Sequence, residues 1–333
     1  MRQKATLEQI AKQVGTSKIT VSRALKGQSG VSDALRQQIW QVATSLGYEH
    51  QRLKQNGKKM QVAFLTPKRF YLATDSFYHV IYYHLNTLCN EQNFVLSLYI
   101  LEKEDEELGI LPEGVGDSDG IIIGGEVSKM VLQAVSTTAK PYVVVDYDPL
   151  DNFSDCIIMD NFRIGAVLTE YLIQRGYDKI GFVGSCAQSS NVADRIMGYR
   201  KVLFTKKLPI HEDWIIDNYD KSTDNYMLNI KIPDSIPDAF ICQCDRAAYY
   251  FMEQLKSQGI VIPDQVALVS IDNTDLAAST TPPLTSMNID KQLFAKEALK
   301  LLVEQRQGRT IVKRIYLNAE LIERDSAPNK KLV

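Results

Sequence analysis

Between Thr6 and Leu46 the apolar positions recur with a helical period. Leu7, Ile10, Ala11 and Val14 stand at i, i+3, i+4 and i+7, which predicts a helix over Leu7–Val14 with one buried face. Thr6 is placed to cap its start and Gly15 to end it. A second helix is predicted over Lys18–Leu25, capped by Ser17 and stopped by Gly27, with Val21, Ala24 and Leu25 inward. A third, Asp33–Leu46, is capped by Ser32 and closed by Gly47, and would bury Leu35, Ile39, Val42, Ala43 and Leu46. A polar stretch, YEHQRLKQNGKK, follows and marks a boundary. From Met60 the pattern changes. Continuous apolar runs (MQVAFLT, FVLSLYI, GIIIGG, YVVVDY, DCIIMD, KIGFVGS, DAFICQC, VALVSID) alternate with helical stretches such as Phe77–Glu91, Gly165–Arg175, Arg195–Leu203 and Ala247–Gln258. Strands apolar on both faces and separated by helices predict parallel sheets covered on both sides. There are too many units for one sheet. The expected fold is a small all-α helix–turn–helix head followed by an α/β body of two doubly wound subdomains with a cleft between them.

Composition sharpens this division. The 333 residues suggest two or three domains, and 45% hydrophobic content is an ordinary globular balance. The net charge of −2 taken whole speaks against a basic nucleic-acid coat protein. Residues 1–59, however, hold 11 Lys/Arg against 3 Asp/Glu, a balance of +8, and the rest of the chain carries −10. A basic head on an acidic body points to a local anionic partner. The five cysteines are odd in number and show no metal spacing, and the four histidines show none either. Reduced core thiols and no metal or cofactor are therefore expected. The N-terminus MRQKATLEQIAKQVG lacks an apolar h-region, and no run approaches the ~18 apolar residues of a membrane span, so a cytoplasmic protein without membrane contact is expected.

Two short helices joined by a glycine turn, then a third, inside a basic segment, suit DNA binding. At the start of the second helix, Lys18 would donate to guanine acceptors and Ile19 would meet a thymine methyl. Arg23, one turn on, would bind guanine in bidentate fashion. Thr16, Ser17, Thr20 and Ser22 would bond phosphate oxygens. In the body, polar residues recur just after apolar strands, where doubly wound sheets bind ligands: Asp146, Cys244 with Asp245, and Asp272 with Asn273. Arg195 opens a helical stretch. Phe70, Tyr71 and Tyr78 would cover an apolar sugar face, while Lys68 and Arg69 would suit a phosphate or carboxylate, or simply a solvated loop. No G-x-G-x-x-G, P-loop or G-x-S-x-G motif argues for an enzyme. A pure solute-binding protein would fit the body alone, but not the basic head.

The string from Thr6 to Leu25, TLEQIAKQVGTSKITVSRAL, resembles the N-terminus of the LacI/GalR family of bacterial transcriptional regulators. The resemblance continues through Gly27, Val31-Ser32 and Leu46-Gly47-Tyr48, and it implies that positions 18, 19 and 23 read bases. Thr6 joins the candidate DNA-binding residues. The body is similar to the family's effector domain at Asp160-Asn161, Gly176-Tyr177-x-Lys179-Ile180, Arg195-x-x-Gly198-Tyr199, Pro237-Asp238-Ala239-Phe240 and Pro282-Pro283-Leu284-Thr285-Ser286. By that likeness Arg195 binds effector, Asp146 and Asp272 bind its hydroxyls, Asn191 makes a polar contact and Tyr219 stacks on a sugar ring. Cys244 stands where many members have asparagine, and a thiol is a poor hydrogen-bonding group.

The resemblance implies a head over residues 1–48 and a hinge over 49–59. An effector domain would fill 60–333, with one lobe from 60–159 plus 289–318 and the other from 160–288 plus 319–333. It also implies a repressor of a carbohydrate operon, acting on double-stranded operator DNA as a homodimer and controlled by a small sugar-like effector. The ending RDSAPNKKLV carries no leucine heptad, which favours a dimer over a tetramer. The hinge departs from the family. Lys54 replaces a small residue, and Gly57 replaces the leucine that wedges into the minor groove. Either Leu53 is a displaced wedge beside Lys54 at the DNA, or the operator stays straighter.

Overall fold

The structure, a computed structural model, describes residues 6–25, 30–46, 59–71, 77–150, 154–187, 189–220, 222–223, 225–227 and 229–331. The chain divides into two compact units, Met1–Lys59 and Met60–Val333. In the first, three helices, α1 (Leu7–Val14), α2 (Lys18–Leu25) and α3 (Asp33–Ser45), enclose Ile10, Ala11, Val21, Ala24, Leu25, Ile39 and Ala43. Their ends form as the side chains direct. Thr6 and Gln9 make a reciprocal capping box, with Thr6 Oγ1 accepting from Gln9 N at 3.3 Å and Gln9 Oε1 accepting from Thr6 N at 2.7 Å. Gly15 turns the chain with φ 75°, a left-handed conformation that favours glycine. Ser17 caps α2 by accepting from Thr20 N at 3.0 Å, and Ser32 accepts from Leu35 N. Leu46 departs from expectation: it is exposed, because α3 ends at Ser45 and the next residue has left the apolar face. Gly27, Gly47 and the hinge candidates Leu53 and Lys54 lie outside the described residues.

The second unit holds two six-stranded sheets. The N-lobe sheet contains β1 (Gln61–Pro67), β2 (Val95–Leu101), β3 (Gly120–Gly124), β4 (Tyr142–Val145), β5 (Asp155–Met159) and β13 (Arg314–Leu317) in the order β2-β1-β3-β4-β5-β13, all parallel. The C-lobe sheet runs β7 (Ile215–Ile216), β6 (Ile180–Val183), β10 (Ala239–Cys242), β11 (Ala267–Asp272), β12 (Thr285–Asn288) and β14 (Glu320–Ile322), with β14 antiparallel at the edge. A short hairpin, β8 (Tyr219–Asp220) with β9 (Asn225–Tyr226), pairs Tyr219 with Tyr226. The apolar runs are strands because both faces are covered: β3, β5, β6, β10 and β11 are buried throughout.

The second unit also holds helices α4 (Lys68–Tyr71), α5 (Phe77–Glu91), α6 (Lys103–Leu108), α7 (Lys129–Thr137) and α11 (Asp275–Ser279). The chain passes between the lobes three times: from β5 into α8 (Asn161–Gln174), from β12 into α12 (Lys291–Arg306), and from β13 to β14. α8 and α9 (Ser190–Lys206) pack on the C-lobe with their backbones in close approach. A Cβ at Gly165 would overlap the carbonyl of Arg195, and one at Gly198 would overlap the carbonyl of Phe162. The glycine of Arg195-x-x-Gly198-Tyr199 therefore serves helix packing and sets where α9 lies. Tyr199 anchors the same helix by donating to the Ile180 carbonyl at 2.7 Å.

Candidate functional site

The head presents one polar helix face. Val21, Ala24 and Leu25 hold α2 in the core, which turns Lys18, Ile19 and Arg23 outward. Ile19 is 67% exposed, a large apolar side chain with no intramolecular reason to be there. Lys18 Nζ lies 3.2 Å from Glu8, a solvated pair of little energetic weight that can open to a stronger partner. Ser17 and Thr20 hydroxyls are 2.9 Å apart at the helix start, and Thr16 and Ser22 are half-buried beside them. Thr6 spends its hydroxyl on the capping box, so its side chain organises α1.

In the body an open cleft of about 520 Å³ is lined by Phe70, Phe77, Tyr78, Asp146, Met159, Ser189, Asn191, Val192, Arg195, Tyr226, Gln243, Cys244 and Asp272. Both lobes contribute, and the polar groups stand mostly where strands end. Asp146 follows β4 and Asp272 ends β11, with φ 64° and 105°. Left-handed backbone at a non-glycine residue is strained and concentrates at functional positions.

The polar groups are held firmly. Tyr78 Oη donates to Asp146 Oδ2 at 2.8 Å, and Asn191 Nδ2 donates to the Asp146 carbonyl at 2.7 Å. Arg195 is buried; its Nε donates to Asn161 Oδ1 at 2.8 Å and a terminal nitrogen donates to the Gln243 carbonyl. Gln243 Oε1 accepts from Ser185 N at 2.8 Å. Lys291 Nζ holds the Asp272 carbonyl at 2.6 Å. Asp146 Oδ1 is buried and, among the described residues, has no hydrogen-bond partner. Burial pushes its carboxyl up to about 6, against the downward pull of Arg195 and of the Tyr78 hydrogen bond. An acceptor kept dry and unpaired costs free energy unless something donates to it.

Some expectations about the cleft are overturned. Tyr219 does not line it; of this hairpin it is the partner Tyr226 that does, with its hydroxyl 3.1 Å from Cys244 Sγ. Tyr71 packs against His79 and Tyr82 at the core margin instead of lining the cleft. Lys68 and Arg69 are not poised for an anion, because Lys68 pairs with Glu102 at 2.8 Å and Arg69 pairs with Glu106. Cys244 does act as a polar group: it caps α10 (Asp245–Ser257) by accepting from Ala247 N at 3.4 Å. Phe77, Ser189 and Gln243 also line the cleft without having been expected there. Ser189 and Gln243 lie in polar segments after strands, but nothing in their spacing distinguishes them from loop residues.

Residues 6–51, which span the outward α2, match the family of bacterial regulatory proteins of the lacI type, and residues 169–327 match the periplasmic binding protein-like domain. The chain carries the helix–turn–helix domain of lacI-type regulators and a periplasmic binding protein-like domain. The transcriptional repressor PurR of Vibrio parahaemolyticus is 26% identical over 98% of this chain and 99% of its own length. Among solved structures, the transcriptional regulator CelR in complex with cellobiose matches with TM-score 0.69 at 24% identity, covering 97% of this chain and all of that one. The lac repressor dimer bound to operator and an anti-inducer matches with TM-score 0.68 at 18% identity, covering 98% and 100%. The chain thus joins a DNA-binding helix–turn–helix head to an effector-binding body of two parallel-sheet lobes, and a solute-binding protein without DNA recognition is not favoured. Among the described residues no helix is long and apolar enough to cross a membrane.

Proposed function

We propose that the protein is a cytoplasmic repressor that binds palindromic operator DNA as a homodimer and is controlled by a neutral sugar in the interlobe cleft. The observation that carries the effector reading is the buried, unpaired Oδ1 of Asp146, a residue that lines the cleft together with Phe70, Phe77, Tyr78 and Tyr226. A sugar meets both needs: its hydroxyls donate to a carboxylate, and its C–H face covers aromatic rings. Charge supports a neutral ligand over a phosphorylated one. Asp146 and Asp272 line the cleft, Arg195, the one lining cation among the described residues, is already bonded to Asn161 and Gln243, and Lys68 and Arg69 are neutralised elsewhere. The likeness to a cellobiose complex points the same way. Lys18, Ile19 and Arg23 are the proposed base readers, with Thr16, Ser17, Thr20 and Ser22 on phosphates. Two heads on two half-sites supply affinity that one small headpiece lacks.

A thermal-shift series on the full chain tests the effector reading, because a ligand that binds only the folded state raises the melting temperature. Cellobiose and simple hexoses and pentoses are expected to include a stabilising ligand, with their phosphates inactive. Stabilisation by sugar phosphates or nucleosides alone would overturn the neutral-sugar reading.

A further inference from the structure

A carboxylate joins the two lobes across the cleft. Glu126 follows β3 in the N-lobe, and its Oε2 accepts from the backbone N of Ser190 at 2.7 Å and from the Ser190 Oγ at 2.9 Å. Ser190 opens the 17-residue helix α9 of the C-lobe. Its N–H is one of those that no carbonyl within the helix reaches, and that helix end carries partial positive charge. Ser189, the N-cap on the same chain, spends its hydroxyl on Asn191 N at 3.1 Å. Glu126 therefore supplies from the opposite lobe what α9 lacks. It is braced from behind: Arg69 Nη2 donates to the Glu126 carbonyl at 2.8 Å while its guanidinium is paired with Glu106. The same guanidinium lies 4.6 Å from the ring of Phe70, which lines the cleft.

We propose that Glu126 is a clasp that sets the balance between closed and open lobes, and through it the affinity of the cleft and the size of the response at DNA. The inference takes the regulatory meaning of closure from the sugar-effector reading, but the clasp itself stands on interlobe geometry. Its partners sit on different lobes, so both bonds are broken when the lobes part. Neither bond requires the effector, so the chain supplies part of the free energy of closing, and a ligand needs to supply less.

The test is an interlobe distance distribution measured by electron–electron double resonance on the full chain without sugar. Spin labels are placed at Lys103→Cys, just after β2, and Met227→Cys, beside Tyr226, in a Cys186→Ser background that removes the exposed native thiol. Glu126→Ala is expected to raise the open-to-closed ratio by about tenfold, the scale of one charge-assisted hydrogen bond. Ser190→Ala keeps the backbone donor and loses the hydroxyl, so a smaller shift in the same direction is expected. Unchanged distributions in Glu126→Ala, with melting temperature and circular dichroism retained, would overturn the clasp. If that variant does not fold, an unshifted Ser190→Ala does the same. The measurement uses no sugar, so a failure of cellobiose or any other sugar to bind would sink the effector reading and leave this result standing.

Discussion

Asp146 ties burial to function most directly. Its folded-state value of about 6 lies above the ordinary 3.8, so the folded chain holds a proton that the unfolded chain has lost. The stability this contributes is full below about 3.8 and lost as pH rises through about 6. Asp146→Asn removes the ionisation, and Asn tolerates the left-handed backbone. The variant is expected to melt no lower than the parent at pH 7, with up to ~3 kcal/mol to gain, while its sugar response is lost; differential scanning calorimetry and a sugar titration check the pair. In the native chain a hydroxyl donating to Oδ1 favours the charged form, so sugar affinity should climb between pH 5 and 7 and then flatten. Affinity that falls over that range in isothermal titration would contradict the assignment. Arg195→Ala should abolish the effector response at the operator and leave DNA binding intact; a response surviving at ordinary effector concentration removes Arg195 from the site. Arg23→Ala should cost roughly 1–3 kcal/mol on specific operator and much less on random DNA. Equal losses in gel shifts would make it a phosphate contact.

At the scale of elements, α9 links the cleft to the fold. It carries Asn191 and Arg195 to the cleft, receives Glu126 at its start, and is pressed onto α8 through Gly165 and Gly198. Gly198→Ala places a methyl against the Phe162 backbone, which cannot rotate away as a side chain would. A loss of roughly 1–3 kcal/mol in urea unfolding is expected, with weakened sugar binding because Arg195 moves with its helix. Full stability in that variant would mean the two helices can part at no cost. The motif was legible as Arg-x-x-Gly-aromatic. Its glycine was not legible as a packing residue, because the close approach belongs to a pair of helices whose faces meet only in the folded chain. The tyrosine exchange has a related cause. Tyr219 and Tyr226 are equivalent to a periodicity argument and are directly paired in the hairpin, and only their tertiary neighbours separate them: Tyr226 meets Cys244 and Tyr250.

For the whole molecule, the charge division has a measurable consequence. If the +8 head makes the phosphate contacts, operator affinity should fall steeply and log-linearly with salt, while sugar affinity in the uncharged-ligand cleft should hardly move. A salt-independent gel shift would reject the head as the DNA-binding unit. Sedimentation at micromolar concentration should show a dimer, and a monomer that still binds operator tightly would reject the two-head arrangement.

Local and periodic features follow from residue order alone. The spacing of Leu7, Ile10, Ala11 and Val14, the caps at Thr6, Ser17 and Ser32, and the apolar runs from Met60 onward each act within a few residues, so composition and spacing suffice to place helices and strands. Lys18, Ile19 and Arg23 face outward for the same local reason, because three buried neighbours on α2 leave them no other face. Tertiary structure decided what depends on distant partners. Whether Lys68 and Arg69 are free depends on Glu102 and Glu106, more than thirty residues away. Whether Asp146 is an ordinary carboxylate depends on the lobe that covers it. That Glu126 caps a helix of the other lobe follows from closure alone, since hydrogen bonds and desolvation act at contact distance and the chain order of these residues gives no contact.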